Sequence, residues 1–262
     1  MTNVLTYDLP YKGDSSWLMS LLSELEMPVF LNSGGPRSAA SRYDILAAEP
    51  VAYLLIENGS SQCSEPGLEV DGFDLFSTIK ILQSTFLPKS EKDHETVQRF
   101  PFQGGLLGFL GYPILVGKDC LRILDAFVGV YRWAVISDHS EHLTTLIFHP
   151  SSTTESRTRI IAMLNETRAN RPAPNPLEFM LTAEFSNQIS REQYNLAFDR
   201  IKQYIQAGDC YQVNLAQQFR ATCSGHPISR LFQTTRSKSC PFLGLYQLAK
   251  RCFAKCITGT IP

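Results

Sequence analysis

The sequence lacks any apolar run near the roughly 18 residues that a membrane-spanning helix needs. Its amino terminus also lacks the basic start and the apolar stretch of a signal peptide. Glycine, proline and apolar residues occur in ordinary proportions, which excludes a collagen, a coiled coil and wholesale disorder. At 262 residues, the chain allows one large domain or two small ones. We expect a cytoplasmic protein with no membrane or nucleic-acid partner.

Acidic residues are missing from the last part of the chain. Residues 229–262 hold six lysines and arginines and no acid, whereas the first 228 residues hold 18 basic and 25 acidic side chains. Three of the seven cysteines, Cys240, Cys252 and Cys256, also lie in this segment. We predict that the tail, residues 229–262, arose by a different process from the body of the chain.

The cysteines and histidines do not combine into a site. An odd number of cysteines without an export signal predicts reduced thiols rather than a disulfide framework. Cys252 and Cys256 have the spacing of a metal-binding pair, but no second pair or nearby histidine completes four ligands. His139, His142 and His149 lie near one predicted hairpin, and we interpret them as surface residues. From these residues we predict no metal site.

Hydrophobic periodicity predicts alternating helices and strands, hence a mixed α/β layer protein. The helix over 190–208 is the clearest element, because Ser190 and Gln193 make a capping box and Gly208 follows the last apolar residue. The other predicted elements are helices over 17–25, 71–86 and 155–169, strands over 29–31, 45–48, 51–56 and 210–216, bent strands in the glycine-rich stretch 101–112, and a hairpin of strands 126–136 and 143–148.

The loop over 32–43 is the candidate binding element. Ser33, Ser41, Arg42 and Tyr43 place hydroxyls, a guanidinium and an aromatic ring on a glycine-rich turn, as a small-ligand site requires. Composition alone favours a structural turn with a surface arginine. Both interpretations stay open at this point.

Four segments, taken in order, resemble one enzyme family. The segments are Ser41–Ile45 with Ala48–Pro50, Pro101–Gly108, Gly129–Ala134, and Arg191–Tyr194 with Gly208–Gln217. Through them the chain is similar, over about residues 15–228, to the amino-terminal half of the family that holds anthranilate synthase component I, isochorismate synthase and aminodeoxychorismate synthase component I. The aminodeoxychorismate branch fits best, because Leu31-Asn32-Ser33 replaces the Leu-Glu-Ser of anthranilate synthases.

The resemblance implies an α+β fold, a partial four-layer α/β/β/α sandwich of orthogonally packed, mainly antiparallel sheets. It also implies a tryptophan-like ligand held by Ser33, Ala40, Ser41, Arg42 and Tyr43. Full-length members use Mg²⁺ and chorismate, and a glutamine amidotransferase subunit supplies their ammonia. By resemblance we divide the chain into an amino-terminal domain (1–180), the start of the chorismate-binding domain (181–228) and the aberrant tail (229–262).

The family's catalytic segments, Ser-Pro-Glu-Arg-Phe and Pro-Ile-Lys-Gly-Thr, do not occur in the sequence. Codons for Ile257–Pro262 can be chosen that give Ser-Pro-Glu-Arg-Phe when they are read one nucleotide later. We therefore predict an out-of-frame tail and a truncated chain, which gene sequencing tests. We expect this chain to bind no Mg²⁺ and to lack the synthase activity by itself. A silent module that binds the ligand or the amidotransferase, an anthranilate synthase branch, and a non-functional product are the alternatives.

Overall fold

The computed structural model describes residues 4–13, 15–19, 21, 25–33, 42–57, 60–65, 75–87, 99–111, 125–170, 180–187, 189–217, 219–225, 242–248 and 251–257. The chain forms two compact units, one of residues 1–174 with 231–262 and one of residues 175–230.

The described elements follow one another along the chain as short strands with a few helices. In chain order they are β1 (Leu5–Leu9), α1 (Ser16–Met19), β2 (Val29–Asn32), β3 (Tyr43–Ala47), β4 (Ala52–Glu57), β5 (Ser60–Cys63), α2 (Leu75–Phe86), β6 (Gly105–Leu110), β7 (Ala126–Tyr131), β8 (Trp133–Asp138), β9 (Leu143–Phe148), α3 (Thr154–Asn170), β10 (Met180–Leu181), β11 (Ser186–Asn187), α4 (Arg191–Ala207), β12 (Phe219–Arg220), β13 (Cys223–Ser224), β14 (Phe242–Leu248) and β15 (Arg251–Ile257).

The first unit contains a seven-stranded sheet in the order β1-β9-β8-β3-β2-β14-β15. Every neighbouring pair in it is antiparallel. The segment 242–257, which lies in the predicted aberrant tail, forms the β14–β15 hairpin. Its first strand pairs with β2 from Leu243 opposite Asn32 to Tyr246 opposite Val29. The backbone of the tail thus extends the sheet, whereas its out-of-frame origin stays a prediction.

A second sheet, of four antiparallel strands in the order β5-β4-β7-β6, completes this unit. The predicted single strand over 126–136 is wrong, because the chain leaves the smaller sheet at Arg132 and continues as β8 in the larger one. Arg132 donates from Nη2 to the carbonyl of Phe86 at 2.9 Å, which ties the crossing point to the end of α2. The predicted hairpin itself is confirmed as β8–β9.

The two sheets pack against each other through one apolar cluster. Val29, Ala47 and Ile136 of the larger sheet and Phe127 and Tyr131 of the smaller sheet are almost fully buried in it. The opposite face of the smaller sheet packs on α2, where Leu75 and Leu82 contact a second cluster that includes Leu54 and Val130. Alternate residues of β7 therefore serve two different cores, as the two-residue period of a strand requires. The α+β class with antiparallel sheets is confirmed.

Glycine in the stretch 101–112 allows a close strand pairing, as predicted. A Cβ on Gly108 would lie 2.0 Å from the carbonyl oxygen of Phe127 and 2.7 Å from the Cα of Val128. No side chain fits between β6 and β7 at that position, so only glycine permits this approach of the two backbones.

The predicted helices of the first unit are confirmed with different lengths. In the region 17–25 the described helix is limited to α1, although Leu18, Leu21 and Leu25 are buried as the pattern predicts. Helix α2 covers the described part of 71–86, and α3 covers the predicted 155–169 with one further residue at each end. The described helices include none long and apolar enough to cross a bilayer.

The second unit is built around α4 and two short antiparallel pairs, β10–β13 and β11–β12. Both predicted caps of α4 are present, since Ser190 and Gln193 exchange capping hydrogen bonds and Gly208 has a φ of 81°. The predicted strand over 210–216 is wrong. Tyr211 and Val213 alternate as a strand would, but residues 212–217 pair with no strand in the described part of the chain, and Tyr211 is 98% exposed.

Candidate functional site

Three of the five predicted ligand residues lie in the described part of the chain. Arg42 and Tyr43 lie at the start of β3, and Ser33 lies directly after β2. Ala40 and Ser41 lie outside the described residues. The structure brings Arg42 and Tyr43 to a cleft on one face of β3. It places Ser33 in a buried polar cluster on the other face of β3.

The pairing register explains this division. Tyr43 lies opposite Asp138, which lies opposite Leu143, and these three side chains share one face of the sheet. The next residue of β3, Asp44, lies opposite Ser137 and therefore belongs to the other face. A binding surface and a structural cluster thus begin at neighbouring positions of β3.

The cleft on the first face has a volume of about 310 Å³. Its charged lining is Arg42, Arg99, Asp138 and Glu141. The rest of the lining is aromatic, apolar or small and polar, and consists of Tyr43, Phe100, Ile136, Leu143 and Thr145. Apolar walls with a few charged groups are typical of small-molecule sites, which range from about 300 to 1,000 Å³.

Asp138 holds the Arg42 guanidinium through a two-pronged ion pair. Nε of Arg42 lies 3.0 Å from both carboxylate oxygens, and Nη2 donates to Oδ2 at 2.7 Å. Burial alone would raise the pKa of Asp138, but hydrogen bonds from Arg42 and from the backbone N–H groups of Glu141 and Ser140 outweigh it and lower that pKa. The hydrogen bond to Asp138 raises the pKa of Arg42. The pair therefore stays ionised and fixed in geometry.

Two further contacts complete the Arg42 end of the cleft. Glu141 Oε1 lies 3.7 Å from Nη2 of Arg42, and the guanidinium carbon of Arg42 lies 4.8 Å from the ring centre of Tyr43. Burial, followed by the charge of Asp138, raises the pKa of the Tyr43 hydroxyl, so it remains protonated and able to donate a hydrogen bond.

Arg99 enters the cleft from the segment before β6. Its guanidinium carbon lies 5.2 Å from the ring centre of Phe100. No described carboxylate forms an ion pair with Arg99. Sequence reasoning missed Arg99, Asp138 and Glu141, which reach the cleft from segments about 55 and 95 residues beyond Arg42.

On the opposite face, Asp44 is fully buried and accepts hydrogen bonds on both oxygens. Oδ1 accepts from the backbone N–H of Ser33 at 2.8 Å and from its hydroxyl at 3.0 Å. Oδ2 lies 3.1 Å from the Asn32 amide nitrogen and 2.8 Å from Nε2 of His139. Burial alone would raise the pKa of Asp44, but the hydrogen bonds from His139, Ser15 and Ser33 lower it overall. Ser33 thus supports β3 from behind.

The interpretation of His139 and His149 as surface residues is wrong. The His139 side chain is only 2% exposed, and its ring links Asp44 to the amino-terminal segment. Because an ionised carboxylate only accepts, Nε2 donates to Asp44, and in the neutral ring Nδ1 accepts from the Tyr11 hydroxyl at 3.0 Å. His149 is also buried, and its Nδ1 lies 2.8 Å from the hydroxyl oxygen of Ser151. His142 is exposed, as predicted.

The described residues do not fit a Mg²⁺ site. Mg²⁺ prefers an octahedral set of oxygens that includes carboxylates. In the described part of the chain, Asp44 is paired with His139, Asp138 with Arg42 and Glu49 with Arg159. No three potential metal ligands lie together there. What this arrangement can do is bind a small polar molecule with an apolar portion.

The model of the chorismate binding enzyme family matches residues 37–257, so the chain belongs to that family. The match runs through β14 and β15.

The named proteins that are similar to this chain include aminodeoxychorismate synthases and an anthranilate synthase. The chain is 31% identical to aminodeoxychorismate synthase component 1 of Escherichia coli K12, over 89% of this chain and 51% of that protein. The Klebsiella aerogenes protein of that name is 30% identical over 92% of this chain and 52% of its own length. Anthranilate synthase component I from Streptococcus pneumoniae TIGR4 has a similar fold, with a TM-score of 0.57 and 25% identity over 74% of this chain and 45% of that one. The chain spans about half the length of the curated relatives that it matches.

Proposed function

We propose that the chain supplies the amino-terminal part of an aminodeoxychorismate synthase component 1. The alignment of 89% of its length with the Escherichia coli protein carries this proposal. Such an enzyme forms 4-amino-4-deoxychorismate from chorismate and ammonia, with Mg²⁺ and a glutamine amidotransferase partner. The cytoplasmic location, the four-layer orthogonal packing and the division at 180 and 228 belong to the same proposal.

A chimera tests the proposal. Residues 1–228 replace the corresponding half of the Escherichia coli enzyme, and formation of 4-amino-4-deoxychorismate is measured with chorismate, ammonium and Mg²⁺. We expect activity well above that of the remaining Escherichia coli half alone. A chimera that folds, as judged by its thermal melt, but is no more active than that half would contradict the proposal. The unfused chain is expected to leave chorismate unchanged, because its sequence lacks both catalytic segments named above.

We also propose that the cleft binds a tryptophan-like amino acid. The aromatic ring of Tyr43 and the side chains of Ile136 and Leu143 offer an apolar surface beside the fixed charges of Arg42 and Asp138. Arg42 and Tyr43 are the contact residues, Ser33 supports them, and Ala40 and Ser41 complete the predicted set.

Calorimetry with L-tryptophan and the full chain tests this binding. Arg42→Gln removes the guanidinium that fixes the position of the Asp138 carboxylate and lies over the Tyr43 ring, so we expect binding at least tenfold weaker than in the unchanged chain. Arg200→Gln is the matched control, since Arg200 also lies over a tyrosine, 5.9 Å from the ring centre of Tyr204, but outside the cleft. Absence of heat with the unchanged chain would remove the proposal.

A further inference from the structure

The four charges that line the cleft sum to zero but are unevenly shared. Arg42 has two acidic neighbours, Asp138 at 2.7 Å and Glu141 at 3.7 Å. The group of Arg42, Asp138 and Glu141 therefore carries one net negative charge. Arg99 supplies the balancing positive charge from a different segment of the chain.

Arg42 is poorly suited to bind an anion. Nε and Nη2 already donate to the Asp138 carboxylate, which occupies one of the two forked edges of the guanidinium. An anion at the remaining Nη1–Nη2 edge would lie near Glu141, whose Oε1 is 3.7 Å from Nη2, and would be repelled by it. The negative end of this group instead favours a cation.

Arg99 has the opposite character. No carboxylate of the described residues pairs with it, and its guanidinium carbon lies 5.2 Å from the centre of the Phe100 ring, a cation–π contact that uses none of its N–H groups as hydrogen-bond donors to a carboxylate. A guanidinium held in this way keeps its planar fork available for a carboxylate, which it binds through two parallel hydrogen bonds.

We propose that Arg99 is the specificity-determining residue of the cleft and binds the carboxylate of a zwitterionic amino acid. The ammonium group of the ligand lies toward Asp138 and Glu141, and its apolar side chain lies along Phe100, Ile136 and Leu143. This inference rests on the proposed ligand-binding function and adds the direction in which the ligand lies and the residue that selects it.

Three indole compounds separate the contribution of the ligand's carboxylate from that of its ammonium group. L-tryptophan carries both charged groups, indole-3-propionate lacks the ammonium group, and tryptamine lacks the carboxylate. Calorimetry measures the affinity of each compound for the full unchanged chain and for its Arg99→Gln variant. We expect Arg99→Gln to weaken the binding of L-tryptophan and of indole-3-propionate by about 10- to 100-fold, as for a lost hydrogen bond to a charged group. Tryptamine binding stays unchanged.

Two further variants make the result decisive. Arg99→Lys keeps the positive charge but loses the forked pair of N–H donors. We therefore expect its affinity for L-tryptophan and indole-3-propionate to lie between the affinities of the unchanged chain and of Arg99→Gln. Arg200→Gln, outside the cleft, leaves all three affinities unchanged. Thermal melts confirm that each variant is folded.

The outcomes distinguish this inference from the function on which it rests. If Arg99→Gln weakens the binding of tryptamine as strongly as that of L-tryptophan, or weakens the binding of neither, Arg99 does not select the carboxylate. The inference is then overturned, whereas the proposed ligand binding stands. If the unchanged chain binds none of the three compounds, the proposed binding function itself fails.

Discussion

At the scale of single residues, the buried Asp44 carboxylate is held by hydrogen bonds on both of its oxygens. It has no exposed surface, yet its hydrogen bonds lower its pKa despite burial. A carboxylate in this condition stabilises the fold only while its partners remain in place, because an unpaired buried charge is costly. Asp44 therefore connects β3, the end of β2 and the amino-terminal segment at one point.

We expect Asp44→Asn to lower the free energy of unfolding by about 3 kcal/mol at neutral pH, since the variant loses a buried carboxylate that accepts hydrogen bonds on both oxygens. Urea denaturation measures the effect. Asp8→Asn, which changes an exposed aspartate of β1, serves as the control and should differ from the unchanged chain by less than about 0.5 kcal/mol. Equal stability of Asp44→Asn and the unchanged chain would show that the cluster contributes nothing.

The same carboxylate predicts the sign of a pH effect. Its folded pKa is lowered, so its stabilising contribution is present above the unfolded pKa, about 3.9, and is lost as the pH falls through the folded value. The stability difference between the unchanged chain and Asp44→Asn should therefore shrink below about pH 4. A difference that stays constant from pH 7 to pH 3 would contradict this assignment.

Individual residues also show what the sequence could and could not predict. The motif Ser41–Ile45 pointed to Arg42 and Tyr43, because neighbouring residues of a family motif are visible in one segment. The burial of His139 was hidden, because a histidine in a polar turn has the local pattern of a surface residue. Only the pairing of β3 with β8 brings Asp44 to it.

At the scale of elements, periodicity predicted most strands but not the sheet to which each one belongs. The run 126–136 has the composition of one strand, yet β7 and β8 lie in different sheets, and the break at Arg132 has no local signal. The segment 210–216 has the alternation of a strand but no described partner. Strand formation depends on a neighbour elsewhere in the chain, whereas the caps of α4 are encoded within the helix itself.

The pairing of β6 with β7 depends on Gly108. We expect Gly108→Ala to cost about 1–3 kcal/mol of unfolding free energy, because its Cβ must push the two backbones apart. Gly13→Ala is the matched control, since the nearest atom to its new Cβ is the Tyr11 hydroxyl oxygen at 3.8 Å, an ordinary contact. Thermal melts measure both variants, and equal melting temperatures would argue against a tight β6–β7 pairing.

The amino-terminal cap of α4 gives a second prediction at this scale. Ser190→Ala removes the acceptor for the Gln193 backbone N–H, so we expect a loss of about 1 kcal/mol. Ser190→Thr keeps a hydroxyl at the cap and should recover most of this loss. Amide hydrogen exchange in residues 191–194 reports directly on this end of the helix. If exchange there is unchanged in Ser190→Ala, the cap does not stabilise the helix.

At the scale of the whole molecule, the tail is where the sequence and the structure point in different directions. Its charge and cysteine content differ from those of the rest of the chain, which motivates the out-of-frame hypothesis. Yet the family match continues to residue 257, and β14 pairs with β2 over four residues. Composition describes how a segment differs from its surroundings, but it does not decide whether the backbone can complete a sheet.

Truncation separates the two descriptions of the tail. Removal of residues 231–262 would leave the edge of β2 unpaired, and an exposed strand edge promotes association between molecules. We expect the chain 1–230 to melt several degrees lower than the full chain and to elute partly as oligomers in size-exclusion chromatography. The chain 1–257, which retains the β14–β15 hairpin, is the matched control and should behave like the full chain. If 1–230 instead melts at the same temperature and stays monomeric, the hairpin contributes nothing to the fold, as expected of a tail translated out of frame.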